Sequence, residues 1–155
     1  MNDNKILITF VMGTRPEIIK LAPLITLFKK NTLFLVRVVL TGQHLEMAED
    51  LLKLFEINED LNLKIMKSNQ SLTHITSSVI NGLKDEFMEY HPKLLFIQGD
   101  TSTAFAAALA AFFDKIPIAH IEAGLRTLDL FNPFPEEANR RLISQISSLH
   151  FAPTK

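Results

Sequence analysis

Apolar positions in this chain follow two rhythms that alternate from end to end. Ile6–Met12 is a short apolar run that stops at Gly13, the pattern of a strand covered on both faces. Pro16 then stands where the first turn of a helix tolerates a missing N–H. From there Ile18, Leu21, Leu24, Ile25 and Phe28 recur at helical spacing to about Lys30. The pattern goes on to predict a strand over Phe34–Thr41, a helix over Leu45–Phe55 and a short extended piece over Leu61–Met66. Ser71–Tyr90 carries Leu72, Ile75, Val79, Leu83 and Phe87 on one helical side. It ends at His91-Pro92, because the residue before a proline disfavours the α region. A strand over Leu94–Gln98, an alanine-rich helix over Thr101–Phe113 and a strand over Ile116–Ile121 follow. A loop is expected over Gly124–Pro135, a helix over Glu136–Ser148 and a last strand over Leu149–Ala152.

Strands alternating with helices imply right-handed βαβ units and an α/β fold, a doubly wound parallel sheet. Ligands of such sheets sit beyond the carboxyl ends of the strands. Gly13-Thr14-Arg15, Thr41-Gly42-Gln43-His44, Gly99-Asp100-Thr101 and Glu122-Ala123-Gly124 each follow a predicted strand. The informative polar residues therefore collect on one edge.

Composition narrows the chemistry. The 155 residues suit one domain, and 47% hydrophobic with 21% charged residues is a globular mixture. A net charge of −1 gives no bulk attraction to nucleic acid or to an anionic membrane, so neither is an expected partner. The absence of cysteine removes disulfides, thiolate zinc sites and thiol nucleophiles, and is compatible with a cytoplasmic setting. No apolar run is long enough to span a membrane, and the N-terminus lacks a signal-peptide layout. His44, His74, His91 and His150 show no metal-ligand spacing.

Each motif has a bland reading beside a functional one. In Gly13–Lys20, free N–H groups at a helix start can bind an anion with Arg15 as a clamp; a tight turn with two solvated cations is the alternative. The stretch is neither a G-x-G-x-x-G fingerprint nor a Walker A loop, which argues against nicotinamide and P-loop chemistry. Asp100 at a helix entrance is either an N-cap or a functional carboxylate. Glu122, emerging from its strand, either pairs structurally with a residue such as Arg126 or acts chemically. Glu136 and Glu137 complement a helix dipole without any further role, and only one of them can face a cleft. Together, Asp100, Glu122 and Glu136 or Glu137, with Arg15, Lys20 and Arg140, place carboxylates beside cations around one cleft. That set suits proton transfer near a phosphorylated substrate.

GTRPEIIKLAP (13–23), TGQH (41–44), GDTST (99–103), HIEAGLRT (120–127) and PFPEEANRR (133–141), in that order, resemble the non-hydrolysing UDP-N-acetylglucosamine 2-epimerases. The hydrolysing epimerases are similar in fold but lack the paired GLRT and PFPEE signatures. The resemblance implies a Rossmann-like domain, one half of a GT-B type two-domain fold. Residues 1–155 would be the N-terminal domain, with the C-terminal UDP-binding domain absent. It further implies interconversion of UDP-N-acetylglucosamine and UDP-N-acetylmannosamine through UDP elimination and re-addition, without a cofactor. By the same resemblance Asp100, Glu122 and Glu136 match catalytic carboxylates, and Arg15, Lys20 and Arg140 match substrate-binding cations. Gln43 and His44 match a regulatory site, where Glu46 and Asn69 depart from the pattern of regulated members. A homodimer and a role in polysaccharide biosynthesis are family expectations. A non-catalytic binding module, truncated or one half of a split enzyme, is the competing reading, and the chain alone is expected to be inactive.

Overall fold

The computed structural model describes residues 5–42, 45–67 and 69–154. In chain order the elements are β1 (Ile6–Met12), α1 (Arg15–Lys30), β2 (Phe34–Leu40), α2 (Leu45–Leu54), β3 (Leu61–Asn62), α3 (Leu72–Tyr90), β4 (Leu94–Gln98), α4 (Ser102–Phe113), β5 (Ile118–Ile121), α5 (Glu136–Ile146) and β6 (Leu149–Phe151). The strands form one six-stranded sheet in the order β3-β2-β1-β4-β5-β6. Every pairing is parallel. This is the Rossmann-like doubly wound arrangement the alternation predicts.

Parallel strands need cover on both faces, and the two covers have separate cores. On one face Phe10, Met12, Val38 and Leu40 pack with Ile18, Leu21 and Ile25 of α1 and Leu52 of α2. Phe10 stacks on Phe96 of β4 at 4.6 Å between ring centroids. On the other face Val11, Val39, Leu95 and Ile97 meet α3, α4 and α5. α4 lies between α3 and α5 as well as on the sheet, so its alanines are buried nearly all round. Small side chains there allow close helix approach.

Element ends move where hydrogen bonding decides them. β5 begins at Ile118 rather than Ile116: Ile116 N–H closes the end of α4 on Ala111, and Pro117 has no N–H to give. The piece expected over Leu61–Met66 shrinks to Leu61–Asn62, an edge strand paired only with β2, after which Lys64 takes a left-handed φ of 50° and turns the chain. α5 stops at Ile146 because Ser147 is extended and Ser148 N–H already bonds Ile118. Pro23 sits unannounced inside α1, on its exposed side.

The order 3-2-1-4-5-6 reverses between β1 and β4. At such a reversal the connections leave in opposite directions, and ligands of doubly wound sheets bind there, beyond the strands' carboxyl ends. The turns Gly13–Arg15 and Gly99–Thr101 flank this point. Among the described residues no helix is long and apolar enough to cross a membrane.

Candidate active site

The turn after β1 is drawn tight. A Cβ added to Gly13 would lie 2.3 Å from Thr41 Oγ1 and 3.0 Å from Thr103, so only glycine fits. α1 then starts from an extended Thr14 as N-cap, with Glu17 at the third helical position. The Glu17 carboxyl accepts Gly13 N–H at 2.6 Å and Thr14 N–H at 2.7 Å, and Thr101 Oγ1 donates to it at 2.5 Å. The anion cradle that was one of the two readings of this turn is thus already occupied, by a carboxyl of the same motif.

Glu17 is fully buried, and burial raises its pKa above the ordinary 4.5, against the bonds from Thr101, Gly13 and Thr14. The unfolded chain therefore releases this proton at lower pH than the folded chain does. Between those two values the unfolded state binds fewer protons, so stability falls as pH rises. Urea unfolding of Glu17→Gln and wild type across pH is expected to show the difference widening in favour of Gln as pH climbs above 4.5, then levelling. A difference that stays flat or narrows would contradict it.

Glu122 follows β5 with φ at +64°, a left-handed conformation that an L-residue adopts at a cost. Its carboxylate is gripped by Lys20 Nζ at 2.6 and 2.5 Å to its two oxygens, and by the Gln98 side-chain amide. Arg126, the local partner considered from sequence, points elsewhere: to the Leu125 carbonyl at 2.6 Å and Ser144 Oγ at 2.8 Å. The pair stays open to solvent, with side-chain exposures of 45% for Lys20 and 25% for Glu122. Exposed ion pairs contribute about 0–1 kcal/mol. Lys20→Met is therefore expected to leave the urea midpoint almost unmoved. A large drop in the midpoint would make the Lys20–Glu122 pair a structural one.

Asp100 does not cap α4. Thr101 does, its Oγ1 accepting Ala104 N–H at 3.0 Å. Asp100 is released to pair with Arg140 Nε at 2.5 Å, and Asn139 Nδ2 donates to the Asp100 carbonyl at 2.8 Å. Below this turn His120 is completely buried and its Nε2 donates to Gly99 O at 2.7 Å. Burial lowers its pKa from 6.5, against the Gly99 bond, which keeps the ring neutral near neutral pH. Gly99 itself needs its φ of +74° to make the turn.

The two glutamates that open α5 divide. Glu137 is buried and accepts Thr127 N–H at 3.0 Å, Arg141 Nε at 2.9 Å and Arg140 Nη1 at 3.5 Å. Burial opposes its charge, but Arg141 and Thr127 outweigh that and lower its pKa. Thr127 also donates from Oγ1 to Asn132 O, pinning the loop between Gly124 and Pro135. Glu136 is half-buried; its Oε2 is shielded and has no hydrogen-bond partner among the described residues.

The structure thus joins Lys20 to Glu122 and Asp100 to Arg140 on one sheet edge. Glu136 shares the helix of Arg140. Arg15 is exposed on the first residue of α1 and makes no ion pair with another described residue. Gln43 and His44 lie outside the described residues. Glu137, the alternative to Glu136 as the carboxylate facing a cleft, is turned into the fold, and Glu17, Gln98, His120 and Asn139 were not singled out as site residues. Their signal is weak in sequence, a polar type at a position that should be buried. Among the described residues no group of three acidic or histidine side chains could hold a metal.

The family described as UDP-N-acetylglucosamine 2-epimerase matches residues 27–155. A UDP-N-acetylglucosamine 2-epimerase of Neisseria meningitidis serogroup A is 53% identical over 145 residues, covering 94% of this chain and 39% of that protein. The crystal structure of the Neisseria meningitidis UDP-GlcNAc 2-epimerase bound to UDP-GlcNAc superposes with a TM-score of 0.93 at 51% identity, covering 97% of this chain and 41% of that one. The Methanocaldococcus jannaschii UDP-GlcNAc 2-epimerase, in complex with UDP-GlcNAc and UDP, matches with a TM-score of 0.89 at 35% identity over 96% of this chain and 41% of that one. The chain spans only about 39% of the length of the first of these relatives.

Proposed function

This chain belongs to the UDP-N-acetylglucosamine 2-epimerase family, and on that premise we propose that it forms the N-terminal Rossmann-like domain of a non-hydrolysing UDP-N-acetylglucosamine 2-epimerase. The observation that carries the reading is the pairing of Lys20 with Glu122 and Asp100 with Arg140 at the switch point of the sheet. Inverting C2 requires removing its proton on one face and returning one on the other. As the C2 proton leaves, the C1–O bond breaks and UDP departs with the electron pair, giving a glycal. UDP adds back at C1 and a proton is delivered to the opposite face of C2, so the substrate and product have the same atoms. Asp100, Glu122 and Glu136 are the proposed acid–base groups. Lys20, Arg140 and Arg15 supply positive charge for the diphosphate, whose negative charge grows as it leaves. Gln43 and His44 are assigned, on the family pattern, to a regulatory nucleotide-sugar site.

These groups stand on an open edge, one wall of a GT-B type cleft, so the 155 residues by themselves are proposed to give no turnover. The cytoplasm is the proposed setting, where nucleotide sugars are the substrates. Proton NMR of UDP-N-acetylglucosamine in D₂O tests the reading, with the chain alone and with the chain fused to the C-terminal portion of the Neisseria meningitidis relative. Deuterium at C2 and manno product from the fusion, with neither from the chain alone, supports it. A fusion that binds UDP-N-acetylglucosamine yet exchanges no proton would favour a non-catalytic binding module.

A further inference from the structure

Glu17 is a buried charged residue at the switch point that the proposed chemistry leaves unused. In a doubly wound sheet the first strand-to-helix turn is where a helix N-terminus offers free N–H groups to an anion. Here Gly13 and Thr14 both direct those N–H groups at Glu17 Oε2, at 2.6 and 2.7 Å. The other oxygen takes Thr101 Oγ1 at 2.5 Å, from the turn after the neighbouring β4. A glutamate at the third helical position often reaches back to the N-cap N–H. Such a cap lies in solvent and touches its own turn only. Glu17 is 1% exposed and bridges two turns that are 84 residues apart in sequence. Burying a carboxyl is costly, and burial raises the pKa of this one, so a simple cap does not explain its position.

We propose that Glu17 is a positioning residue that takes the anion's place at the start of α1: its carboxyl fills the N–H cradle after β1, keeps phosphate out of it, and ties this turn to the β4–α4 turn. A phosphorylated ligand must then be held by side-chain cations on the rim, of which Arg15 and Lys20 are the nearest on α1. Every contact in this assignment is internal to the chain, so it does not rest on the epimerase reading.

Titration of the 155-residue chain with inorganic phosphate, followed by the amide NMR signals of Gly13 and Thr14, tests the assignment. In the wild type these signals are expected to stay in place. In Glu17→Ala they are expected to move saturably, with phosphate affinity at the turn raised about tenfold or more, the size of a helix-terminus anion interaction. Glu17→Gln keeps an acceptor oxygen and is expected to stay closed. Saturable movement in the wild type overturns the proposal, as does a folded Glu17→Ala that binds no more phosphate than wild type. Should Glu17→Ala not fold, Glu17→Gln decides: tightened phosphate binding at Gly13 and Thr14 overturns the proposal, and unmoved signals support it.

Discussion

On the acid–base role proposed for Glu122, Glu122→Gln in the chain fused to the C-terminal portion of the Neisseria meningitidis relative is expected to slow epimerisation by about 10²–10⁴-fold, the range for removing a positioned acid–base group, with little change in folding. The variant is close to isosteric. Its amide oxygen still accepts one of the two Lys20 bonds, and the Gln98 amide can turn to present its oxygen to the new NH₂, so the variant gives up one Lys20 contact and keeps a bond to each partner. Glu122 is also 25% exposed, which limits the cost of altering its charge. On the proposed role, what the variant loses is the ability to accept and return a proton. The rate of deuterium entry at C2, followed by proton NMR, reads that loss, and urea unfolding reads the fold. A near-normal exchange rate would remove Glu122 from the acid–base set. A large drop in the urea midpoint would instead make its left-handed backbone and its partners a structural device.

The fold was legible because burial on both faces leaves a simple trace. β1 and β4 appear in sequence as apolar runs with the same bounds they have in the sheet, Ile6–Met12 and Leu94–Gln98. Helix stripes were equally plain in α1 and α3, where one side of each is buried. The sequence was silent where a bond to a distant segment sets an end, as at Ile118, whose strand starts only after Pro117. The same distinction governs the site. That Asp100 and Glu122 stand at the carboxyl edge of the sheet could be read from a carboxylate placed just past a buried strand. Their partners could not, because Lys20 and Glu122 are 102 residues apart and Asp100 and Arg140 are 40 apart. Local reasoning offered Arg126 to Glu122 and an N-cap role to Asp100, and both gave way to tertiary partners. Glu17 was hidden for a different reason. An acidic residue in a first helical turn is ordinary, and only the fold reveals that it is buried against a second turn.

Arg140→Ala is expected to damage both stability and rate, which distinguishes it from the other site variants. The guanidinium reaches Asp100 through Nε and Glu137 through Nη1, with only 14% of its side chain exposed. Removing it deprives Asp100 of a charge-assisted hydrogen bond, a loss of about 1.5–3 kcal/mol in a partly buried setting. It also takes one of two arginines from the buried Glu137, whose remaining bonds to Arg141 and Thr127 must hold the start of α5. On the acid–base role proposed for Asp100 the rate should fall too, because Asp100 is no longer fixed: a displacement of about 1 Å in a reacting group can cost about 10²-fold. Arg140→Lys separates the two effects. An ammonium restores the charge but is a point donor and cannot span both carboxylates as the planar fork does. The urea midpoint of Arg140→Lys is expected to recover part of the loss while deuterium exchange at C2 stays slow. A lysine variant with wild-type exchange would mean that positive charge alone suffices at this position. Asp100 would then be held by Asn139 on its carbonyl and His120 beneath Gly99.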